Sequence, residues 1–184
     1  AGGNGGGAIH SSTNLNHPVV NNRYLENIAS TGGGLVIHAD TQKRNVVANV
    51  DIVGNDGGGI AFIASTSAKI ENSIVAFNGG VGVSADETSA SEYFKLKYNN
   101  VHGNDENYDA PIAAIDLPGA LDGCIDDDPL FTRFEKDGDP ISDFLYLQAG
   151  SPSVDSGRTE LAYRDTDGST SDMGSYGGQD AESR

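Results

Sequence analysis

The chain has 184 residues, 36% of them apolar, and a formal net charge of −16 from 27 acidic and 11 basic residues. This length suits one domain, and the low apolar content with 25 glycines and no tryptophan predicts a thin, repetitive core. Nucleic-acid binding needs a basic face, so the acidic charge excludes a nucleic-acid partner.

Two other classes are disfavoured by the sequence. No apolar run approaches the ~20 residues that span a bilayer, so we expect no membrane insertion. Cys124 is the single cysteine, which excludes an intramolecular disulfide and predicts a structural free thiol. The chain opens in a glycine-rich turn at residues 1–7. We therefore expect this coil end to pack against another chain or against upstream coils.

A repeat runs through residues 1–104. Four segments end in an asparagine, at Asn27, Asn55, Asn78 and Asn104. These asparagines follow one another after 28, 23 and 26 residues, a loose period that is typical of a solenoid. Glycine-led strands recur in step with them, at residues 5–9, 32–37, 57–63 and 79–83. Glycine supplies the positive φ that a sharp corner requires.

Equivalent positions of the repeat are chemically uniform. Two apolar columns are predicted to point inward: Val19, Val47, Ile70 and Leu96, and Tyr24, Ile52, Val75 and Val101. Two polar columns are predicted to stack as amide ladders: the four terminal asparagines, and Asn21, Asn49 and Asn72 with Tyr98 at the end. Stacked amides can hydrogen-bond along the axis at the ~4.8 Å spacing of neighbouring strands.

These columns predict an all-β fold, a right-handed parallel β-helix with about four coils of roughly 23 to 28 residues. Helices are disfavoured because each glycine triplet would cost ~1 kcal/mol per residue and no 3.6-residue period is present. We treat residues 1–184 as one domain. Residues 105–184 leave the repeat and are expected to form an irregular coil and a cap over the open end of the stack.

Residues 122–178 carry a series of motifs rich in Asp, Gly and Pro. The series is Asp127–Phe131, Asp143–Leu147, Gly150–Gly157, Asp165–Ser169 and Asp172–Gly178. It resembles the C-terminal tail of secreted right-handed parallel β-helix proteins, including surface proteins and relatives of polysaccharide lyases. The resemblance implies a secreted or cell-surface location. It does not choose an activity, because that tail accompanies enzymes and adhesins alike.

The density of carboxylates after Gly123 suggests a cation site. The aspartates that we consider as calcium ligands are Asp137, Asp139, Asp165, Asp167 and Asp172. Calcium takes ~6 to 8 oxygen ligands in flexible loops, and the run from Asp165 to Gly168 alternates acids before a turn glycine. The run lacks the distal glutamate of an EF-hand. The alternative is ordinary turn chemistry, in which aspartates cap their own backbone.

Three lysines fall on one predicted face. Lys69 and Lys95 precede their terminal asparagines at the same offset, and Lys97 aligns with Glu71. In pectate-lyase-like enzymes an Arg or Lys acts as general base beside calcium, so the resemblance makes these lysines candidate catalytic residues. The alternative is a solvated ridge with a Lys to Glu pair across coils.

Two functions therefore remain open. The favoured one is a secreted or cell-surface module without catalysis, which binds polysaccharide or serves a structural or adhesive role. The alternative is a calcium-dependent polysaccharide lyase or glycoside hydrolase that acts on an acidic polysaccharide. A chain of charge −16 repels polyanions unless calcium bridges them, which counts against the alternative.

Overall fold

A computed structural model describes residues 6–11, 18–38, 45–64, 67–86, 94–114 and 121–179. Short parallel strands stack into three sheets. Sheet one contains, in spatial order, β1 (Ala8–Ser11), β4 (Leu35–His38), β7 (Ile60–Ile63), β10 (Val81–Ala85) and β13 (Glu106–Tyr108). Sheet two contains β2 (Val19–Val20), β5 (Asn45–Ala48), β8 (Ala68–Glu71) and β11 (Lys95–Lys97). Sheet three contains β3 (Arg23–Leu25), β6 (Asp51–Val53), β9 (Ile74–Ala76) and β12 (Asn100–His102).

Each coil contributes one strand to each sheet, so the chain forms four successive coils and begins a fifth at β13. The predicted parallel β-solenoid of about four coils is confirmed. Among the described residues, β1, β2 and β3 have a strand neighbour on one side only. The packing of this end against another chain or upstream coils stays a prediction.

Both inward columns are confirmed. In sheet two, Val47 pairs in register with Val19 and with Ile70, and in sheet three Ile52 pairs in register with Tyr24 and Val75. Their side chains form one core cluster along the axis. Parallel stacking repeats each coil's environment in the next, so a column of similar apolar residues fills a core of constant width.

The terminal asparagines form the expected ladder. Asn27 Nδ2 donates to Asn55 Oδ1 at 2.8 Å, Asn55 to Asn78 at 2.9 Å, and Asn78 to Asn104 at 2.8 Å. The same oxygens also accept backbone N–H groups, as where Asn55 N donates to Asn78 Oδ1 at 2.9 Å. Asn55 and Asn78 are buried, so the ladder satisfies polar groups that have no access to water.

The second expected ladder is wrong. Its residues adopt left-handed backbone at the corner between sheets two and three, with φ of 51° at Asn21, 53° at Asn49, 50° at Asn72 and 54° at Tyr98. Asn21 Nδ2 donates to the carbonyl of Ser175 at 3.3 Å, and Asn72 Oδ1 accepts from Arg158 N at 2.9 Å. The side chains of Asn21 and Asn72 therefore bond to the C-terminal part of the chain and not to each other.

The last coil is closed by residues 106–114 and 121–125. A short helix, α1 (Ala110–Ala113), buries Ile112 in the core, and Ile125 forms a parallel bridge with Asn100. Cys124 is a half-buried free thiol packed against the core, and its burial raises its pKa, in keeping with a structural role.

The rest of the tail lies along the side of the stack. An antiparallel hairpin of β14 (Phe131–Arg133) and β15 (Phe144–Leu147) packs on the outer side of sheet three, against Val53, Ile74 and Ala76. Two short 3-10 turns occur at Pro140–Ser142 and Leu161–Tyr163. We call residues 150–178 the C-terminal segment. The expected cap is thus only partly at the end of the solenoid, since most of it covers a lateral face.

The C-terminal segment crosses the coils in reverse order. Asn100 of the fourth coil donates to Ser153 Oγ at 2.9 Å, and Asn72 of the third accepts from Arg158 N. Asn21 of the first coil donates to the carbonyl of Gly177 at 3.4 Å. This segment therefore joins the first coil to the fourth.

Candidate functional site

An open cleft lies between the solenoid and the hairpin. Its volume is about 400 Å³, and it is lined by Phe77, Asp128, Leu130, Phe131, Phe134 and Gln148. We call it the aromatic cleft. Most of its wall is apolar, which is the usual character of a small-ligand site of this size.

Two corner glycines make room for the aromatic wall. Phe77 follows β9 in left-handed backbone, with a φ of 58°, and its counterparts in the neighbouring coils are Gly54 and Gly103. A Cβ at Gly54 would lie 2.7 Å from Phe134 Cζ, and one at Gly103 would lie 2.8 Å from Phe77 Cδ1. Any other residue at these two positions would displace the rings.

The rings contact one another. Phe77 and Phe134 are stacked, with centroids 5.5 Å apart and planes at 13°, and Phe131 meets Phe134 edge on at 6.4 Å. Such contacts hold a rigid apolar surface at small entropic cost. Phe77 comes from the solenoid and the other two from the hairpin, so the cleft exists only when the hairpin is docked.

Two polar side chains line the cleft. Asp128 Oδ1 accepts from Leu130 N at 2.9 Å, and Gln148 Nε2 donates to the carbonyl of Phe131 at 2.8 Å. These bonds fix both side chains. Within the described residues, Asp128 Oδ2 and Gln148 Oε1 have no hydrogen-bond partner, so the cleft offers a ligand two acceptors.

A histidine and a carboxylate lie beside the cleft. His102 Nδ1 is 2.8 Å from Asp126 Oδ1, and Asn107 Nδ2 donates to Asp126 Oδ2 at 2.9 Å. The His102 ring meets Phe77 edge on at 5.8 Å. In the described part of the chain His102 bonds to no hydroxyl or thiol, so the pair lacks the nucleophile of a triad.

The three candidate lysines lie on the outer face of sheet two, and none lines the aromatic cleft. Lys95 pairs in register with Lys69, and Lys97 with Glu71, as the alignment predicted. Lys69 Nζ is 2.5 Å from Glu71 Oε2, and Lys97 Nζ is 3.2 Å from Asp122 Oδ2. Lys95 has no ion-pair partner among the described residues.

The expected cross-coil pair of Lys97 with Glu71 does not form. Glu71 is 2% exposed and is neutralised by Lys69 in its own strand and by Arg158, whose Nη1 donates to Glu71 Oε2 at 2.7 Å. Arg158 also lies over the Tyr163 ring, 4.2 Å from its centroid. Sequence analysis missed Arg158, because nothing local marks a partner so distant in the chain.

Arg158 has a second acidic partner, Glu160. Hydrogen bonds to Glu160 and to Glu71 raise the pKa of Arg158, and the bond from Arg158 lowers the pKa of Glu160 to about 2. Both shifts favour the charged forms of the pair. Lys69 and Arg158 therefore compensate the charge of a buried carboxylate.

The aspartates considered for calcium mostly cap turns. Asp165 Oδ2 accepts from Asp172 N at 3.0 Å, and Asp172 Oδ1 accepts from Asp155 N at 2.9 Å. Asp167 Oδ1 accepts from Ser169 N at 2.9 Å, and Asp137 Oδ1 from Asp139 N at 2.9 Å.

These oxygens already have donors. Among the residues that the structure describes, no group of three His, Cys, Asp or Glu side chains is arranged to hold a metal ion. The geometry therefore gives no support to calcium, which stays a prediction from sequence.

Comparison with known proteins identifies one family. The family described as "Right handed beta helix region" matches residues 1–117, more than half of the chain. No curated protein and no solved structure matches the chain significantly. Within the described residues, no helix has the length and apolar character needed to cross a membrane.

Proposed function

The chain belongs to the right-handed β-helix family, and we propose that within it the chain is a non-catalytic module that binds a glycan in the aromatic cleft. The observation that carries this proposal is the cleft itself, with three phenylalanine rings and two free acceptor atoms. A sugar ring presents an apolar C–H face and a rim of hydroxyl donors, which matches a wall of this kind.

Binding without catalysis is favoured by the placement of the ionisable groups. Glycoside hydrolysis uses a pair of carboxyl groups across the scissile bond, and the cleft is lined by one, Asp128. A lyase base must be a deprotonated group that can reach the substrate and take a proton from it. Lys69 and Lys97 are held in ion pairs on a different surface.

We also propose that the protein works outside the cell or on its surface. The support is the resemblance of residues 122–178 to the tails of secreted β-helix proteins, together with the strongly acidic composition. Fractionation of the native source with an antibody against this chain tests the location. Recovery of the protein from the cytosol alone contradicts it.

Affinity electrophoresis through gels containing neutral or acidic polysaccharides tests the binding. We expect retardation by at least one polysaccharide and loss of retardation in F134A and in Q148A. Q148A replaces an exposed side chain, so we expect the hairpin to stay packed. F144A is the matched control, because Phe144 is exposed and does not line the cleft.

A catalytic assay separates the two functions. The protein is incubated with the polysaccharides that retard it, with calcium and with chelator, and reducing ends and unsaturated products are measured. We expect neither product. Product growth above a buffer blank would replace the binding module with a lyase or hydrolase.

A further inference from the structure

Most of the free polar atoms that the side chains of the aromatic cleft offer are acceptors. Gln148 uses one of its two amide N–H groups on the Phe131 carbonyl and leaves the other N–H and Oε1 free, and Asp128 leaves Oδ2 free after accepting from Leu130 N. A carboxylate accepts hydrogen bonds and cannot donate one. A ligand that satisfies both free acceptors must therefore supply donors, as hydroxyl, amide or ammonium groups.

The charge around the cleft is negative. Its six lining residues include one charged side chain, Asp128, and no lysine, arginine or histidine. Asp126 and Asp127 precede it on the same exposed loop, and the chain carries −16 overall. A uronate or sulfate group would enter against this field and would meet no cation among the six lining residues.

The apolar part of the wall selects for a ring. Phe77 and Phe134 are stacked on each other, and together with Leu130 and Phe131 they make up the apolar wall of the cleft. Such a surface accepts the flat C–H face of a pyranose. An ammonium substituent is also favourable next to aromatic rings and a carboxylate.

We infer that the aromatic cleft binds neutral or amino sugars and discriminates against acidic ones. This inference rests on the proposed function and names the class of sugar that the same site takes. It makes Asp128 a specificity residue, since its carboxylate accepts from the sugar and repels acidic groups. Phe134 supplies affinity for either class.

Polygalacturonate oligomers and their methyl esters form a matched pair, since they share one backbone and differ in charge. Isothermal titration of the protein with each, at low and at high salt, measures the preference. At low salt we expect the ester to bind at least about tenfold more tightly than the acidic oligomer. A factor of this size corresponds to one charge-assisted contact or repulsion. High salt should narrow the difference, because it screens the acidic oligomer's repulsion. A series of glucosamine oligomers extends the test to amino sugars and should bind at least as well as the ester.

D128N tests the specificity residue. The substitution removes the charge and keeps the shape, so the preference for ester over acid should fall several-fold. D137N is the matched control, because Asp137 is an exposed acid whose Oδ1 caps its own turn and which does not line the cleft. An equal change in preference in both variants overturns the assignment to Asp128.

The outcomes separate the two proposals. Equal or tighter binding of the acidic oligomer overturns the inference about sugar class and leaves glycan binding in place. Absence of binding to every polysaccharide and oligomer overturns the proposed function itself. If the ester binds tightly and F134A and Q148A do not change its affinity, the binding site lies elsewhere and the inference is overturned.

Discussion

Arg158 Nη1 lies 2.7 Å from Glu71 Oε2, although 87 residues separate the two in the chain. The contact joins the C-terminal segment to the outer face of sheet two. Glu71 is almost completely buried, so its charge depends on this arginine and on Lys69. When a buried carboxylate loses a neighbouring cation, the free-energy cost of its desolvation is no longer offset.

The first prediction concerns this pair. R158M keeps much of the apolar stem and removes the charge, and we expect it to lower the free energy of unfolding by about 2 kcal/mol. Lys69 still faces Glu71, which limits the loss. Urea unfolding followed by circular dichroism measures it. R133M is the control, because Arg133 is exposed and 4.0 Å from Glu135, and it should change stability by less than about 0.5 kcal/mol. Equal losses in the two variants contradict the prediction.

The second prediction concerns the pH dependence of stability. Asp51 is 1% exposed, and burial raises its pKa to about 7, while a bond from Ser175 Oγ and the nearby Arg23 act in the opposite direction. The folded chain thus holds a proton on Asp51 that the unfolded chain releases near pH 4. Folding stability from this group is present below pH 4 and is lost as pH rises to about 7.

D51N removes this titration. We expect the stability of the native chain, relative to D51N, to fall by up to about 4 kcal/mol between pH 4 and pH 7 and to level off above it. Urea unfolding of both proteins across this pH range gives the difference. A difference that is flat with pH, or that grows as pH rises, rules out a protonated Asp51.

The third prediction concerns the asparagine ladder. Asn55 is fully buried, and its side chain bonds to Asn27, Asn78 and the carbonyl of Tyr24. N55A leaves several of these groups unpaired, so we expect a loss of about 3 kcal/mol in unfolding free energy. N22A is matched in chemistry but exposed, and we expect little change. Similar melting temperatures for N55A and N22A would show that the ladder adds nothing.

The fourth prediction concerns the inward columns. Val75 has no exposed surface, so V75D buries an unpaired charge at a cost of several kcal/mol and should abolish the folded state. V20D places the same charge on a residue that is 40% exposed and should fold normally. Circular dichroism and gel filtration distinguish the two. A sharp thermal transition in V75D would contradict the inward orientation of Val75.

The solenoid was predictable because stacking places equivalent residues on top of one another. Val47 and Ile70 share a column in the sequence and a register in sheet two. Asn55 and Asn78 likewise share the ladder. Each of these relationships repeats at the period of the coil, so the sequence itself shows which positions are equivalent.

The corner asparagines show where the same reasoning fails. Asn49 and Asn72 also share a column, but their left-handed backbone directs the side chains toward the C-terminal segment. An asparagine column predicts a turn and a ladder equally well. Only the path of residues 150–178, which carry no repeat, decides between them.

The aromatic cleft was missed for a similar reason. Phe77 belongs to the solenoid and Phe134 to the hairpin, and no local pattern brings them together. One signal was available, since Phe77 occupies a corner position where neighbouring coils have Gly54 and Gly103. A large ring at a glycine position indicates that something packs against it.

The reversed path of the C-terminal segment has a consequence for the order of folding. Coils that contact only their neighbours can form one after another as synthesis proceeds. The segment that bonds to Asn21 of the first coil is made after the coils, so it docks only on a stack that already exists. Until the hairpin and this segment have docked, the apolar surface of Val53, Ile74 and Ala76 faces solvent. The nascent chain is therefore most prone to aggregate after its coils have formed and before the hairpin and the C-terminal segment dock on them.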